Sequence, residues 1–294
     1  MSKWLSSSLI RLLWLYSLAR STDAWTSATF HSSRTTRGLS RPSFTDSNVA
    51  FRAPQMSKDS LETSSSPQQF SLTPKRLSYG FLWVGLVAYA FGFSPGGSAE
   101  AAAKDSELIA TILSTPFDGT VSPIFVAVFN ALGILPAVFA SLLLPGGGKQ
   151  RVPCFPFVFS SFFLGFFGVG PYLFLREEKT NVAKVDRSFG TAAFEPKLAS
   201  LLLVVFGVYL LYYAVTAAPI SESLSSYSQL FSTQRLVHVS TIDFTILSLA
   251  VFDPMTEDMK RRNWLGVPAT AFCSLPVIGP ALYLVLRPSL PEDI

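Results

Sequence analysis

The stretch LVHVSTIDFTILSLAVFDPMTEDMKRRNW, residues 236–264, combines a membrane-type helix with ionisable residues, and the interpretation of the whole sequence starts from it. Residues 236–252 are mostly apolar, yet they include His238 and Asp243. A carboxylate at the centre of a membrane costs about 2.5–3.5 kcal/mol on insertion scales, so Asp243 needs a donor or a water-filled cavity. Asp253 precedes a proline, which predicts that the helix stops there and that the next acidic residues lie in a solvated turn.

The composition around this stretch is that of an integral membrane protein. Of the 294 residues, 49% are hydrophobic and only 14% are charged, whereas soluble domains carry about 25% charged residues. The apolar residues concentrate in 122–286, behind a polar leader. Since only helices satisfy their backbone in lipid without closing a barrel, the fold class is predicted to be all-α, with the bilayer as partner. The sequence contains no aromatic-and-basic motif, so no nucleic-acid partner is predicted.

Five segments are predicted to cross the membrane. A helix of about 20 residues spans a core of roughly 30 Å, and four segments have that length. The fifth, in the opening stretch, is at the lower limit of length. The sequence thus predicts a polytopic helical membrane domain, 122–294, with five core transmembrane helices: 122–144, 154–175, 198–218, 236–252 and 264–286. Pro136 is expected to kink the first of them, where the side chain of Asn130 could help satisfy the disturbed backbone.

The basic loops leave the orientation unresolved. If 236–252 spans, the loop 176–197 and the Lys-Arg-Arg cluster at 260–262 share a side. Lys149 and Arg151 then lie opposite, against the positive-inside rule. If 236–252 lies in the interface, the loop at 149 shares a side with 260–262. We prefer the spanning arrangement, with loops 149 and 225 on one side and loops 185 and 260 on the other.

The N-terminal leader resembles a targeting sequence. Residues 1–24 resemble a signal peptide, and residues 25–76 form a transit-peptide-like stretch rich in Ser, Thr and Arg. The pair resembles the bipartite leaders of algae with complex plastids, such as diatoms, which implies a plastid membrane, thylakoid or inner envelope. Residues 77–93 are expected to be an N-terminal anchor helix or a second, cleaved signal. Residues 94–121 are expected to be a polar linker.

The polar residues of the apolar segments are the candidate functional residues. On a helical wheel His238 and Asp243 lie about 140° apart, which argues against a direct pair. Asp243 could have a structural role or handle protons or ions. His238 could make an interfacial hydrogen bond or ligate a pigment or metal. The candidates are Asp243, His238, Asn130 and Arg235.

The soluble-enzyme motifs are missing from the sequence. It contains no G-x-S-x-G, no P-loop and no HExxH. Cys154 and Cys273 are far apart and form no CxxC pair, so neither zinc nor a thiol relay is predicted. No catalytic or metal-binding residue is therefore predicted, and the cofactor stays open.

Four stretches carry a resemblance to a known family: FNALGILPAVFASLLLPG (129–146), GPYLFLRE (170–177), STIDF (240–244) and LPVIGPALYLVLRPSLPE (275–292). Residues 105–290 resemble a family of multi-pass membrane proteins of cyanobacteria and plastids, which brings no known chemistry. The last stretch is also similar to the N-terminal membrane hairpin of cardiolipin synthases, but their His-x-Lys-x-x-x-x-Asp motif is absent.

Three functions are consistent with these observations. The leading hypothesis is a non-catalytic plastid membrane protein that supports assembly or maintenance of photosynthetic membrane complexes. The alternative is a small ion or solute transporter or channel centred on Asp243. A weaker alternative is a membrane enzyme that acts on lipid or pigment.

Overall fold

The computed structural model describes residues 72–148, 150–182, 187, 190–264 and 266–290. Within these residues the regular structure is helical and contains no strand, which confirms the all-α fold class. The predicted signal peptide 1–24 and nearly all of the transit-like leader lie outside the described residues, as does Lys149.

The helices run in chain order as follows: α1 Pro74–Gly92, α2 Ala99–Ser114, α3 Pro123–Leu143, α4 Cys154–Leu164, α5 Phe166–Leu175, α6 Thr191–Phe194, α7 Lys197–Thr216, α8 Ile220–Thr233, α9 Arg235–Ala250, α10 Phe252–Arg261, α11 Ala269–Cys273 and α12 Ile278–Leu286.

Three helices of the described chain are long and apolar enough to cross a membrane. They are α3 with the 3₁₀ turn that follows it (Pro123–Gly146), α7 (Lys197–Thr216), and α9 with α10 (Arg235–Arg261). They overlap three of the five predicted segments, but the third runs past Pro254, where the sequence predicted a helix stop, and ends at Arg261. The helix α3 continues through Pro136.

The predicted segment 154–175 is two helices and not one. Gly165 separates α4 from α5 with φ 56° and ψ −129°, a left-handed conformation that favours glycine. The side-chain amide of Gln150 donates to Gly146 O at 3.1 Å and to Glu177 O at 2.8 Å, so it ties the residues before α4 to those after α5. Because both ends of the segment lie together, α4 and α5 form an antiparallel hairpin, which we call the first hairpin.

The predicted segment 264–286 is interrupted in the same way. Between α11 and α12, Val277 has φ 67° and ψ −61°, and Ile278 N–H donates to Pro276 O at 2.7 Å. This is the rare positive-φ γ-turn, which is strained in a β-branched residue. The Trp264 ring stacks on Tyr283 across the turn, with centroids 5.6 Å apart. We call α11 and α12 the second hairpin.

Both hairpins open at the same end of the bundle. Arg176 follows the first hairpin and pairs with Glu257, while Arg262 precedes the second hairpin and donates to Pro288 O behind it. Arg287 also lies there, against Ser141 O of α3 at 3.0 Å. We call this the arginine end.

The opposite end, called the far end, carries two helices that the sequence did not predict. The predicted polar linker 94–121 contains α2, and the predicted loop at 225 is α8. Leu108 and Ile112 of α2 pack in a small apolar cluster with Phe125 and Val237. The amphipathic pattern of α2 could have identified it as a helix.

The hairpins correct the predicted arrangement of loops. Since the first hairpin returns to the arginine end, the chain before residue 154 and the chain after residue 175 share that end. The predicted separation of loop 149 from loop 260 is therefore wrong, although α9 does run from end to end. The basic residues are also divided unequally between the two ends of the bundle. Most of those at described positions lie at the arginine end: Lys75, Arg76, Arg151, Arg176, Lys179, Lys197, Lys260, Arg261, Arg262 and Arg287. Lys104 and Arg235 lie at the far end.

Cysteine labelling can test this arrangement. In a background without Cys154 and Cys273, Arg151→Cys and Lys260→Cys are expected to react with an impermeant maleimide from one side of the membrane. Ser225→Cys, on exposed α8, should react only from the other. Labelling of positions 151 and 260 from opposite sides would show that 154–175 crosses.

Candidate functional site: a polar seam along the first helix

Helix α1 presents four polar or aromatic side chains within about 120° of its circumference: Lys75, Tyr79, Trp83 and Tyr89. Tyr79 O–H donates to Ala250 O at 3.5 Å, and Trp83 Nε1–H donates to Phe167 O at 3.0 Å. We call these four residues, with their partners on α5, α9 and α10, the polar seam. Because α1 packs against α5 and α9, with Tyr79, Leu86 and Ala90 buried, this helix is part of the described bundle.

Asp243 lies beside the seam, against the tip of the first hairpin, where its donor Phe166 precedes Phe167, the acceptor of Trp83. Phe166 N–H donates to Asp243 Oδ1 at 2.8 Å, and the side chain is buried. The carboxylate thus accepts from the first N–H of α5, where the helix dipole favours negative charge. A Cβ built on Gly165 would lie 1.7 Å from Asp243 Oδ2, so the close approach requires glycine. Asp243 therefore has the donor that its burial demands.

His238 lies nearer the far end and uses both ring nitrogens. Nδ1 is 2.8 Å from Phe231 O, and Nε2 is 2.5 Å from Tyr89 Oη. A carbonyl can only accept, so Nδ1 carries the proton and, in the neutral ring, Tyr89 O–H donates to Nε2. The ring also stacks on Phe231, with centroids 4.0 Å apart. Ligation of a pigment or metal by His238 would first require one of these hydrogen bonds to break.

Arg235 marks the far end of the seam, where several buried polar atoms have no partner. These are Arg235 Nε, Gln234 Oε1 and Asp105 Oδ1. The other oxygen of Asp105 accepts from Leu236 N–H at 3.2 Å. Burial raises the pKa of Asp105 against the opposing effects of this N–H and of Arg235. A cavity of about 480 Å³ adjoins the group and is lined in part by Gln234 and Glu100. Unpartnered polar atoms beside such a cavity are suited to binding water.

A second cavity lies at the arginine end of the seam. It measures about 270 Å³ and is lined in part by Lys75, Tyr79, Arg176 and Asp253. Lys75 pairs with both Asp253 and Glu178. Burial alone would raise the pKa of Glu178, but the hydrogen bond and charge of Lys75 outweigh it and lower that pKa. The seam therefore has a polar cavity at each end and Asp243 between them.

Beyond this cavity lie Glu257 and Asp258. The sequence predicted a solvated turn for these two carboxylates, but both are buried in α10. Glu257 accepts from Arg176, Arg261 and Lys179 N–H. Asp258 is 0% exposed and accepts four hydrogen bonds, three of them from arginines. The donors to Asp258 are Arg261 (3.0 Å), Arg262 (2.8 Å), Arg287 (3.0 Å) and Tyr283 (3.0 Å). The predicted solvated turn is wrong because these ion pairs satisfy the acidic side chains inside the protein.

Adjacent carboxylates thus hold different hairpins. Glu257 binds the arginine that follows the first hairpin, and Asp258 binds Arg262 and Arg287 on either side of the second. Two of the predicted loop arginines, 261 and 262, are neutralised within the protein and are not loop charges. We call Glu257, Asp258 and their arginine partners the ion network.

The fourth candidate, Asn130, lies apart from this site. Its Nδ2 donates to Val126 O at 2.8 Å, within its own helix, and so leaves the Leu132 carbonyl opposite Pro136 untouched. The structure therefore places His238 against Tyr89 of α1, Asp243 against the tip of the first hairpin and Arg235 at the far end. Sequence reasoning missed α1 as the partner of His238, although the four-residue spacing of Lys75, Tyr79 and Trp83 was a signal for a shared face.

Among the described residues, no group of three or more His, Cys, Asp or Glu side chains could hold a metal ion. Comparison with protein-family models, with curated proteins and with solved structures found no match to this chain.

Proposed function

We propose that this protein is a small membrane transporter or channel for a proton or another small cation, and that the polar seam is its route. The observation that carries the proposal is the position of Asp243. It is a buried carboxylate midway along a membrane-type helix, at the tip of an interrupted hairpin. Interrupted helices at membrane depth are tolerated where they are buried in protein or line a cavity, and in transporters they form the substrate site.

The two ends of the seam support the same proposal. Gln234, the residue before α9, lines the far-end cavity, and Asp253 of α10 lines the arginine-end cavity. Between them the seam offers groups that can exchange protons or coordinate a cation: the Tyr89–His238 pair and Asp243. An intramembrane ionisable residue of this kind is by default a functional candidate.

The resemblance to multi-pass membrane proteins of cyanobacteria and plastids, and the bipartite leader, support a plastid membrane as the location. We infer that the arginine end faces the side of insertion, because the basic residues outside the ion network also concentrate there, among them Arg76, Arg151, Lys197 and Lys260. This orientation also places Arg151 on the side of insertion. It then agrees with the positive-inside rule, which the topology predicted from the sequence violated at this residue.

Asp243→Asn tests the function. The amide oxygen of Asn still accepts from Phe166 N–H, so the variant is expected to accumulate like the parent. It cannot exchange a proton or bind a cation by charge, so flux should fall to the level of protein-free liposomes. The measurement is dye-reported flux of protons and of alkali cations into liposomes that contain the purified protein.

Two further variants serve as controls. Asp243→Leu leaves Phe166 N–H unpaired and should lower abundance, since such a loss costs about 1–3 kcal/mol. Thr245→Val removes a hydroxyl that bonds within its own helix and should change neither abundance nor flux. Parental flux in the Asn variant would overturn the proposal.

The support of membrane complexes is the second candidate, and the surface of α7 favours it. Only 17% of the apolar window of this helix is buried. Its exposed aromatic residues, such as Tyr212, could contact lipid or a partner protein. A knockout line that loses a defined photosynthetic complex on native gels, and regains it with the Asn variant, would favour this function over transport.

A further inference from the structure

The charged side chains at the arginine end form a chain of alternating sign. In order, its members are Glu178, Lys75, Asp253, Arg176, Glu257, Arg261 and Asp258. Each inner member contacts an opposite charge on both sides. A single link can therefore break without leaving an inner member unpaired.

The two halves of this chain differ in exposure. The side chains of Lys75 and Glu178 are 42% and 43% exposed, and that of Asp253 is 14% exposed. At the other end Asp258 is 0% exposed and is held by four donors. The inner half is thus fixed among buried groups, while the outer half borders the arginine-end cavity and solvent.

We propose that the links Lys75–Asp253 and Asp253–Arg176 form a gate over the arginine end of the polar seam, and that the ion network is the fixed frame against which the gate moves. This inference rests on the proposed transport function, because a gate needs a route to close. The gate joins three elements: Lys75 from α1, Asp253 from α10, and Arg176 from the first hairpin.

The partners of these residues allow the gate to open at low cost. When both links break, Lys75 keeps Glu178 and Arg176 keeps Glu257. Asp253 loses both cations, but the neighbouring Tyr79 hydroxyl and water in the adjoining cavity can still solvate it. Opening at Asp258 would instead strand a fully buried carboxylate, which is far more costly. The pairing pattern therefore selects Asp253 as the residue that moves.

A thiol at the floor of the cavity reports whether the gate opens. Leu173 lines the cavity and is 2% exposed. The reporter is Leu173→Cys in the full-length protein with Cys154→Ala and Cys273→Ala, reconstituted in liposomes. The gate variant is Asp253→Asn, which weakens both links while each cation keeps its other carboxylate. The rate of labelling by an impermeant maleimide at fixed pH is expected to rise about tenfold, the change that 1.4 kcal/mol in the gate equilibrium produces.

Two controls separate gating from general loosening. Lys260→Gln alters an exposed charge on the same helix and should leave labelling at position 173 unchanged. A second reporter, Leu210→Cys, sits at a 3% exposed position of α7, away from the gate. It should stay unreactive in the Asp253→Asn variant.

Three results would overturn the gate. Labelling at 173 could stay at the parental rate, both reporters could become reactive, or Asp253→Asn could fail to accumulate because the link is needed for the fold. Increased labelling at 173 alone supports it. The labelling experiment does not measure flux and tests only the gate. The proposed transport function is tested separately, by the flux of Asp243→Asn, and parental flux in that variant would reject it.

Discussion

Asp258→Ala is expected to reduce the folded protein in the membrane to a small fraction of the parental level. The substitution removes a fully buried carboxylate, and with it one acceptor of three buried arginines and the acceptor of Tyr283 O–H. Breaking a buried ion pair by removing one partner typically costs about 3–5 kcal/mol. Whole domains are stable by only about 5–15 kcal/mol, so a loss of this size removes a large share of the margin. The measurement is abundance by blot together with the detergent-solubilised melting temperature.

The neighbouring Lys260 supplies the matched control. It is exposed on the same helix, so Lys260→Ala should change stability by no more than about 0.5 kcal/mol. Asp258→Asn should fall between the two, because the amide keeps an acceptor oxygen and loses the charge. Normal abundance of Asp258→Ala would mean that the other acceptors of these arginines are sufficient. Arg261 keeps Glu257, while Arg262 and Arg287 keep Glu195, to which they donate at 2.8 Å and 3.1 Å.

The ion network could be predicted from the sequence only in part. Glu257 and Arg261, like Asp258 and Arg262, are four residues apart, a spacing that pairs side chains on a helix. That pattern was visible, and it indicated a helix where the proline suggested a turn. The long-range partners Arg176 and Arg287 each follow an apolar segment. Nothing local shows that these two segments end beside each other.

The two hairpins were wrongly predicted as single membrane-spanning helices, because the prediction rested on the length of each apolar segment. About 20 apolar residues suffice for a crossing, and 154–175 meets that criterion as well as 198–218 does. The difference lies in the turn geometry. Gly165 has a positive φ and lies against Asp243 of another helix, a contact between residues far apart in sequence. Val277 carries no turn signal at all, since β-branched residues rarely adopt a positive φ.

The sequence predicted what the polar candidate residues require, but not which groups supply it. The cost of burying a charge predicted that Asp243 must find a donor, and it accepts from Phe166 N–H. The helical wheel separated Asp243 from His238, and no hydrogen bond between them was found among the contacts of either side chain. The donor itself could not be predicted, because a backbone N–H is free to bond there only when the helix is broken at Gly165.

Gly165→Ala is expected to have an effect second only to that of Asp258→Ala. A Cβ at this position would lie 1.7 Å from Asp243 Oδ2, far inside contact distance. A backbone at φ 56° and ψ −129° is sparsely populated by residues other than glycine, and such a conformation costs about 1–3 kcal/mol. Displacing Asp243 also breaks a hydrogen bond to a charged group, worth about 1.5–3 kcal/mol. The sum predicts a sharp fall in abundance and melting temperature, with the first hairpin no longer docked on α9.

Gly133 provides the comparison that isolates the hairpin tip. It lies inside α3, and a Cβ there would meet nothing within 4 Å. Gly133→Ala should therefore be neutral or slightly stabilising, since alanine is the better helix former by up to about 1 kcal/mol. Combining Gly165→Ala with Asp243→Gly removes the clash but not the lost hydrogen bond, so it should restore stability only in part. Full stability of Gly165→Ala alone would mean that α4 and α5 can join without the left-handed glycine, and the hairpin would lose its physical basis.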